Sequence, residues 1–155
     1  MIKRTLLLSL AMLCLVPIAI LASDDAAKNG HTPLHAAAWK GDVAQIRSLI
    51  AGGADVNAAS SFGTTPLHSA TVNNQLEAVK ALLQQGARVD ARDGLGRTPL
   101  FAALEIGASR PVIDALLDAG AAADAKDNNG KTPVEIAWTD ELRAALKQHL
   151  VKNTR

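Results

Sequence analysis

Apolar positions recur along this chain in short blocks with a helical rhythm. Val43, Ile46, Leu49 and Ile50 fall on one stripe of a helix predicted over about Val43 to Ala51, and Gly52-Gly53 stops it. The same stripe returns as Leu76, Val79, Leu82 and Leu83, then as Val112, Ile113, Leu116 and Leu117. A shorter helix precedes each, as in Pro33 to Lys40, which ends near Gly41. Its start is written in chemistry. Threonine caps the helix, and proline takes the first helical position, where its missing N–H costs nothing. A glycine two residues before each threonine is suited to the positive φ of a tight turn.

These blocks are copies of one another. Thr32-Pro33-Leu34-His35, Thr65-Pro66-Leu67-His68, Thr98-Pro99-Leu100-Phe101 and Thr132-Pro133-Val134-Glu135 are spaced by 33, 33 and 34 residues. A second marker runs in register: Gly53-Ala54-Asp55-Val56-Asn57, Gly86-Ala87-Arg88-Val89-Asp90 and Gly120-Ala121-Ala122-Ala123-Asp124. With Gly30, Gly63, Gly96 and Gly130, the pattern resembles the ankyrin repeat, a turn and two helices every 33 or so residues. The resemblance implies an all-α solenoid of four helix-turn-helix repeats with β-turn fingers, at about 29–61, 62–94, 95–128 and 129–151. No single pair buries its apolar face alone, so each repeat depends on its neighbours. The third copy has one extra residue near Gly107-Ala108-Ser109-Arg110-Pro111, read as a longer turn with Pro111 starting the second helix. The fourth replaces the histidine by Glu135. Its last helix, at roughly 141–151, is expected to turn Arg143, Lys147, Gln148 and Lys152 to solvent as a C-terminal cap. Trp138 aligns with Ala38 and Leu104 and is expected to fill the core or the end of the stack.

Ahead of the repeats, Lys3 and Arg4 are followed by an uncharged, largely apolar run at 5–23 that Asp24 and Asp25 end. This order describes a secretory signal peptide at 1–22, with cleavage expected after Ala22 and Ala19 as the alternative. The run exceeds the usual ~7–15 residues, which keeps an uncleaved inner-membrane anchor as a second reading. The folded domain is then 23–155, with a thin N-terminal cap at 23–28. Cys14, the one cysteine, lies inside the run, where Met12 and Leu13 make a poor lipidation signal. Without that segment the chain has no disulfide, thiol nucleophile or thiolate metal site. Aromatics make up only 3% of residues, so Ala, Leu, Ile and Val must form the core, which favours closely packed helices. A net charge of +1 argues against a nucleic-acid binder.

Residues that bear chemistry have structural explanations. The resemblance assigns His35 and His68, one repeat apart, to hydrogen bonds with the turn of a neighbouring repeat. His31 and His35 have metal-ligand spacing, but Pro33 intervenes and His31 falls in the turn, so they share no helix face. Asp55, Asn57, Asp90, Asp93, Asp124 and Asp127 fit turns, where Asp and Asn accept backbone N–H groups. They are too sparse for a calcium loop. Neither a phosphate loop nor a nucleophile elbow occurs. The expectation is no catalytic residue, no cofactor and no metal.

The ankyrin resemblance implies a partner surface made of turn tips and the outward side of each first helix. At the tips it projects Asn29 and His31, Phe62 and Thr64, Leu95 and Arg97, and Asn129 and Lys131. On the helices it projects Trp39 and Lys40, Val72 and Asn73, and Glu105 and Ile106. Trp39, Phe62 and Leu95 are large apolar residues in this set, and with Arg97 they have the character of interface anchors. Removing Trp39 and Arg97 together is expected to leave stability almost unchanged. The partner is another protein, with no nucleic acid, no small-molecule substrate and a monomeric binder. The short chain, the plain signal peptide and the absence of an Asn-x-Ser/Thr sequon suggest a bacterial periplasm. Three roles fit: an inhibitor or protector of one exported protein, an accessory factor for a periplasmic enzyme, for instance in oxidative defence, and a membrane-anchored scaffold. A hydrolase fits least, because an open groove lacks a pocket of convergent polar groups.

Overall fold

The computed structural model describes residues 29–153. The expected signal segment, its cleavage site and Cys14 lie outside them. Each Thr-Pro pair starts a helix, giving α1 (Pro33–Lys40), α3 (Pro66–Val72), α5 (Pro99–Ile106) and α7 (Pro133–Ile136). A second helix follows each: α2 (Val43–Ala51), α4 (Leu76–Gln84), α6 (Arg110–Asp118) and α8 (Asp140–Asn153). First helices pack on first helices, α1 on α3, α3 on α5 and α5 on α7. Second helices form a parallel row behind them, α2 on α4 and α4 on α6.

This layering buries the periodic positions. Leu34, Leu67 and Leu100 of the Thr-Pro-Leu motifs lie at the centre of the inner layer. Ile46, Val79, Ile113 and Leu146, equivalent in the four copies, form one fully buried row in the outer layer. Alanines at 37, 70 and 103, all without exposure, let the helices approach closely. Pro111 lies one residue inside α6, which begins at Arg110, and Gly107 ends α5 in a left-handed conformation.

Polar side chains join the copies along the other edge. Asn57 Oδ1 accepts the N–H of Arg88 at 2.8 Å, and its Nδ2 donates to the Gly86 carbonyl at 3.4 Å. One repeat on, Asp90 Oδ1 accepts the N–H of Ala122 at 2.9 Å. Asp93 and Asp127 fold their own turns: each Oδ1 accepts two backbone N–H groups, from Leu95 and Arg97 and from Asn129 and Lys131. The turn tips also touch one another. Ser61 N–H donates to Asn29 O, Gly94 N–H to Phe62 O and Asn128 N–H to Leu95 O. Gly63 is required there twice over: its φ is +72°, and a Cβ would stand 2.9 Å from Gly94 N.

The expectation that Trp138 fills the core fails for a local reason. Thr139 caps α8 by accepting the N–H of Leu142 at 3.1 Å, so α8 begins closer to its Thr-Pro pair than the other second helices do. Helix α7 is therefore cut to four residues, and the backbone of Ala137 leaves the helix at φ −59°, ψ 124°. Ala137 takes the buried place, and Trp138 is turned outward with 50% exposure instead of filling the core. Arg143 keeps 39% side-chain exposure, and its guanidinium also donates to the Ala137 carbonyl at 2.8 Å and to Asp140 at 2.7 Å. No helix among the described residues is long and apolar enough to cross a membrane.

Two substitutions separate packing from polar cost. Leu82→Ala should lower unfolding free energy by about 2–5 kcal/mol, because Leu82 is wholly enclosed between copies. Thr71→Val should raise it by about 1 kcal/mol, since the Thr71 hydroxyl is buried without a hydrogen-bond partner and valine keeps the shape. Urea denaturation of the full chain reads both; a destabilised Thr71→Val protein would show that the hydroxyl is satisfied.

Candidate protein-binding groove

The turns are held to the helices behind them by two histidines. In the first copy Thr32 N–H donates to His35 Nδ1 at 3.1 Å, and His35 Nε2 lies 2.9 Å from the Thr64 carbonyl of the next turn. In the second, Thr65 N–H donates to His68 Nδ1 at 3.2 Å, and Nε2 reaches the Arg97 carbonyl at 3.1 Å. Both rings are buried, as the neighbour-turn assignment expects. The rail stops in the third copy, where Phe101 replaces the histidine, and Glu135 in the fourth only closes its own capping box. His31 and His35 share no helix, yet their ring centroids lie 5.0 Å apart. Among the described residues no group of three or more His, Cys, Asp or Glu side chains could hold a metal ion.

In front of this rail lies an open groove of roughly 610 Å³, lined by Trp39, Phe62, Val72 and Leu95 with His31, Ser69 and Arg97. Phe62 and Leu95 stand on successive turn tips, 60% and 57% exposed, while Trp39 rises from the last turn of α1 at 49%. A second hollow of roughly 540 Å³ continues toward the C-terminus, between Ile106, Glu105, Asn129, Lys131 and the outward-turned Trp138. Of the fourteen side chains projected on the partner surface, seven line the first hollow, and Glu105, Ile106, Asn129 and Lys131 line the second.

Asn29, Asn73 and Lys40 line neither hollow, and Asn29 is exposed at the first tip. Asn73 is half-buried and donates to the Trp39 carbonyl, tying α3 to the end of α1. Lys40 is exposed beside Trp39. Arg97 is also less available than its tip position implied. Its Nε and Nη2 donate to Asp93 Oδ2 at 2.9 and 2.8 Å, and its Nη1 donates to Glu105 Oε2 at 2.6 Å. Burial of Asp93 works against its charge, but the Arg97 side chain and the two backbone N–H groups outweigh this and hold the carboxyl below its ordinary value. Arg97 therefore braces the groove's lip. Trp138 was missed for the reason given above; the signal was Thr139-Asp140-Glu141, a helix start too near the preceding Thr-Pro.

A family profile described as "Ankyrin repeats (3 copies)" matches residues 8–93, more than half of the chain. The chain belongs to the ankyrin-repeat family. Ankyrin repeats are general protein–protein interaction modules and are typically non-catalytic. The matched stretch reaches back into the apolar run read as a signal peptide. No curated protein matches the chain. The open face presents exposed aromatic and aliphatic side chains with polar groups beside them.

Because Asp93 keeps only 3% side-chain exposure, truncating Arg97 leaves a buried carboxylate without its cation. Arg97→Ala should cost about 1–3 kcal/mol of stability, contrary to the expectation from sequence. Leu95→Ala, at an exposed tip, should stay within about 0.5 kcal/mol. Equal melting behaviour of the two variants would remove the bracing role.

Proposed function

We propose that this protein is a non-enzymatic ankyrin module that captures one partner protein in the groove between its turn tips and first helices. All four helix pairs act as repeats in this reading, with β-turn fingers forming the lip and the shortened fourth pair serving as the C-terminal cap. The observation that carries it is the continuous row of exposed Trp39, Phe62, Val72 and Leu95 on one face. Large apolar side chains held out on a rigid surface are costly in water and anchor interfaces when covered. The groove's charged groups, Asp93 and Arg97, neutralise one another, so apolar contact rather than charge selects the partner.

We place the module outside the cytoplasm, in a bacterial periplasm, on the positive-then-apolar order of residues 1–22. A monomer there would hold, protect or inhibit an exported protein, and support of an enzyme in oxidative defence belongs to the same class. The length of the apolar run keeps a competitor: a retained N-terminal segment, which would make the protein an anchored scaffold.

Tagged protein expressed from its own start, with mass spectrometry of bait and prey, distinguishes these readings. The expected bait begins near Ser23 and carries one dominant exported protein at a fixed ratio. Trp39→Ala with Leu95→Ala should reduce capture at least tenfold without changing helicity or melting. Undiminished capture by the double variant would remove the groove assignment, and full-length bait in the membrane fraction would favour the scaffold.

A further inference from the structure

The first copy differs from the later ones on the side that no described copy covers. Pro33 and Ala36 are exposed there, whereas Pro66 and Pro99, and Ser69 and Ala102, are buried. On the second helix the contrast is chemical as well. Ala78 and Ala81 of α4 are buried at 1% and 3% exposure, and Val112 of α6 at 0%. Helix α2 carries Gln45 and Ser48 at those places, both exposed. Polar side chains on the outer face of a terminal copy keep it in water, where apolar ones would call for another copy to cover them.

The apolar run imitates a second helix without meeting its terms. Leu10, Leu13 and Val16 stand 22, 19 and 16 residues before Thr32, as Val43, Ile46 and Leu49 stand before Thr65. That likeness lies inside the stretch the family profile matches. Two residues conflict with it. Pro17 falls at the place of Ile50 and Leu83, near the end of the helix, where it has no N–H to donate. Ile20 falls at the place of Gly53, Gly86 and Gly120, whose φ values of +92°, +85° and +88° a β-branched residue resists. A bilayer makes neither demand. Residues 5–23 carry no charge, and as a helix they would span about 28 Å, against a hydrocarbon core of ~30 Å. Proline is tolerated in such a helix.

We propose that the repeat array ends at the copy beginning with Asn29, and that residues 5–22 form a separate segment that inserts into a lipid bilayer and adds nothing to the stack. Residues 23–28 are then a joint at which the chain can be cut with the repeats and the groove intact. Lys3 and Arg4 lie before the run and Asp24 and Asp25 after it, so both charged flanks stay outside the hydrocarbon. The polar end face and the two misfit residues carry this separation, whether cells cut the segment or keep it. Where the module resides, as proposed above, is a different question.

Cell-free synthesis with phosphatidylcholine vesicles supplies the unprocessed chain, with a specific-protease site placed between Asp25 and Ala26. Ser48→Cys in a Cys14→Ala background puts one thiol on the end face. The full chain is expected to float with the vesicles and the cut repeats to stay behind. The rate at which the thiol reacts with a soluble maleimide should change less than about fivefold on cutting, since nothing covers it beforehand. The urea midpoint of the repeats, read by tryptophan fluorescence, should not move. A larger rise in thiol reactivity, or a midpoint that falls on cutting, would place the run on the end face and overturn the proposal. So would a full chain that stays soluble apart from the vesicles, its run covered by protein instead of lipid. Should the Ser48→Cys protein not fold, flotation and the urea midpoint of the parent chain before and after the cut decide. Partner capture enters none of these readouts, so the groove reading fails or stands separately.

Discussion

Every part of this molecule depends on the fact that a short helix pair cannot bury its own apolar face. Leu34, Leu67 and Leu100 are covered only because another copy lies beside them, and the row Ile46, Val79, Ile113 and Leu146 is continuous only in the stack. Stability is therefore shared between neighbours. That requirement fixes the spacing of copies, and the spacing in turn sets Phe62 beside Leu95 at the lip. The surface is organised because the core is.

Much of this architecture is legible from local chemistry. Thr-Pro starts and Gly stops predict α1 and α2 to the residue, while the apolar stripes place α4 and α6 without fixing their ends. The roles of His35 and His68 follow from the family resemblance. The fourth copy shows where such reading ends. Alignment places Trp138 with Ala38 and Leu104, but the early cap at Thr139 shortens α7 and rotates Trp138 into solvent. Spacing within one copy had to be weighed against equivalence between copies. Arg97 is a second case: its tip position is evident from the repeat, but its pairing with Asp93 and Glu105 depends on side chains that converge only in three dimensions.

The candidate surface divides along that ion pair. On one side Trp39, Phe62, Val72 and Leu95 offer apolar anchors over a neutral floor. On the other, Lys131, Asn129 and Glu105 surround Trp138 and Ile106. The histidine rail supports only the first side, since Phe101 and Glu135 end it. The apolar groove is thus the more firmly built half.

Site-directed photo-crosslinking in intact cells tests the central claim most directly. A photoreactive residue replaces Phe62 in one protein and Lys80, exposed on the second-helix face, in another. The account predicts one strong adduct of defined mass from position 62 and none from position 80. Adducts from position 80 alone would contradict it, because the partner would then lie on the opposite layer of the stack.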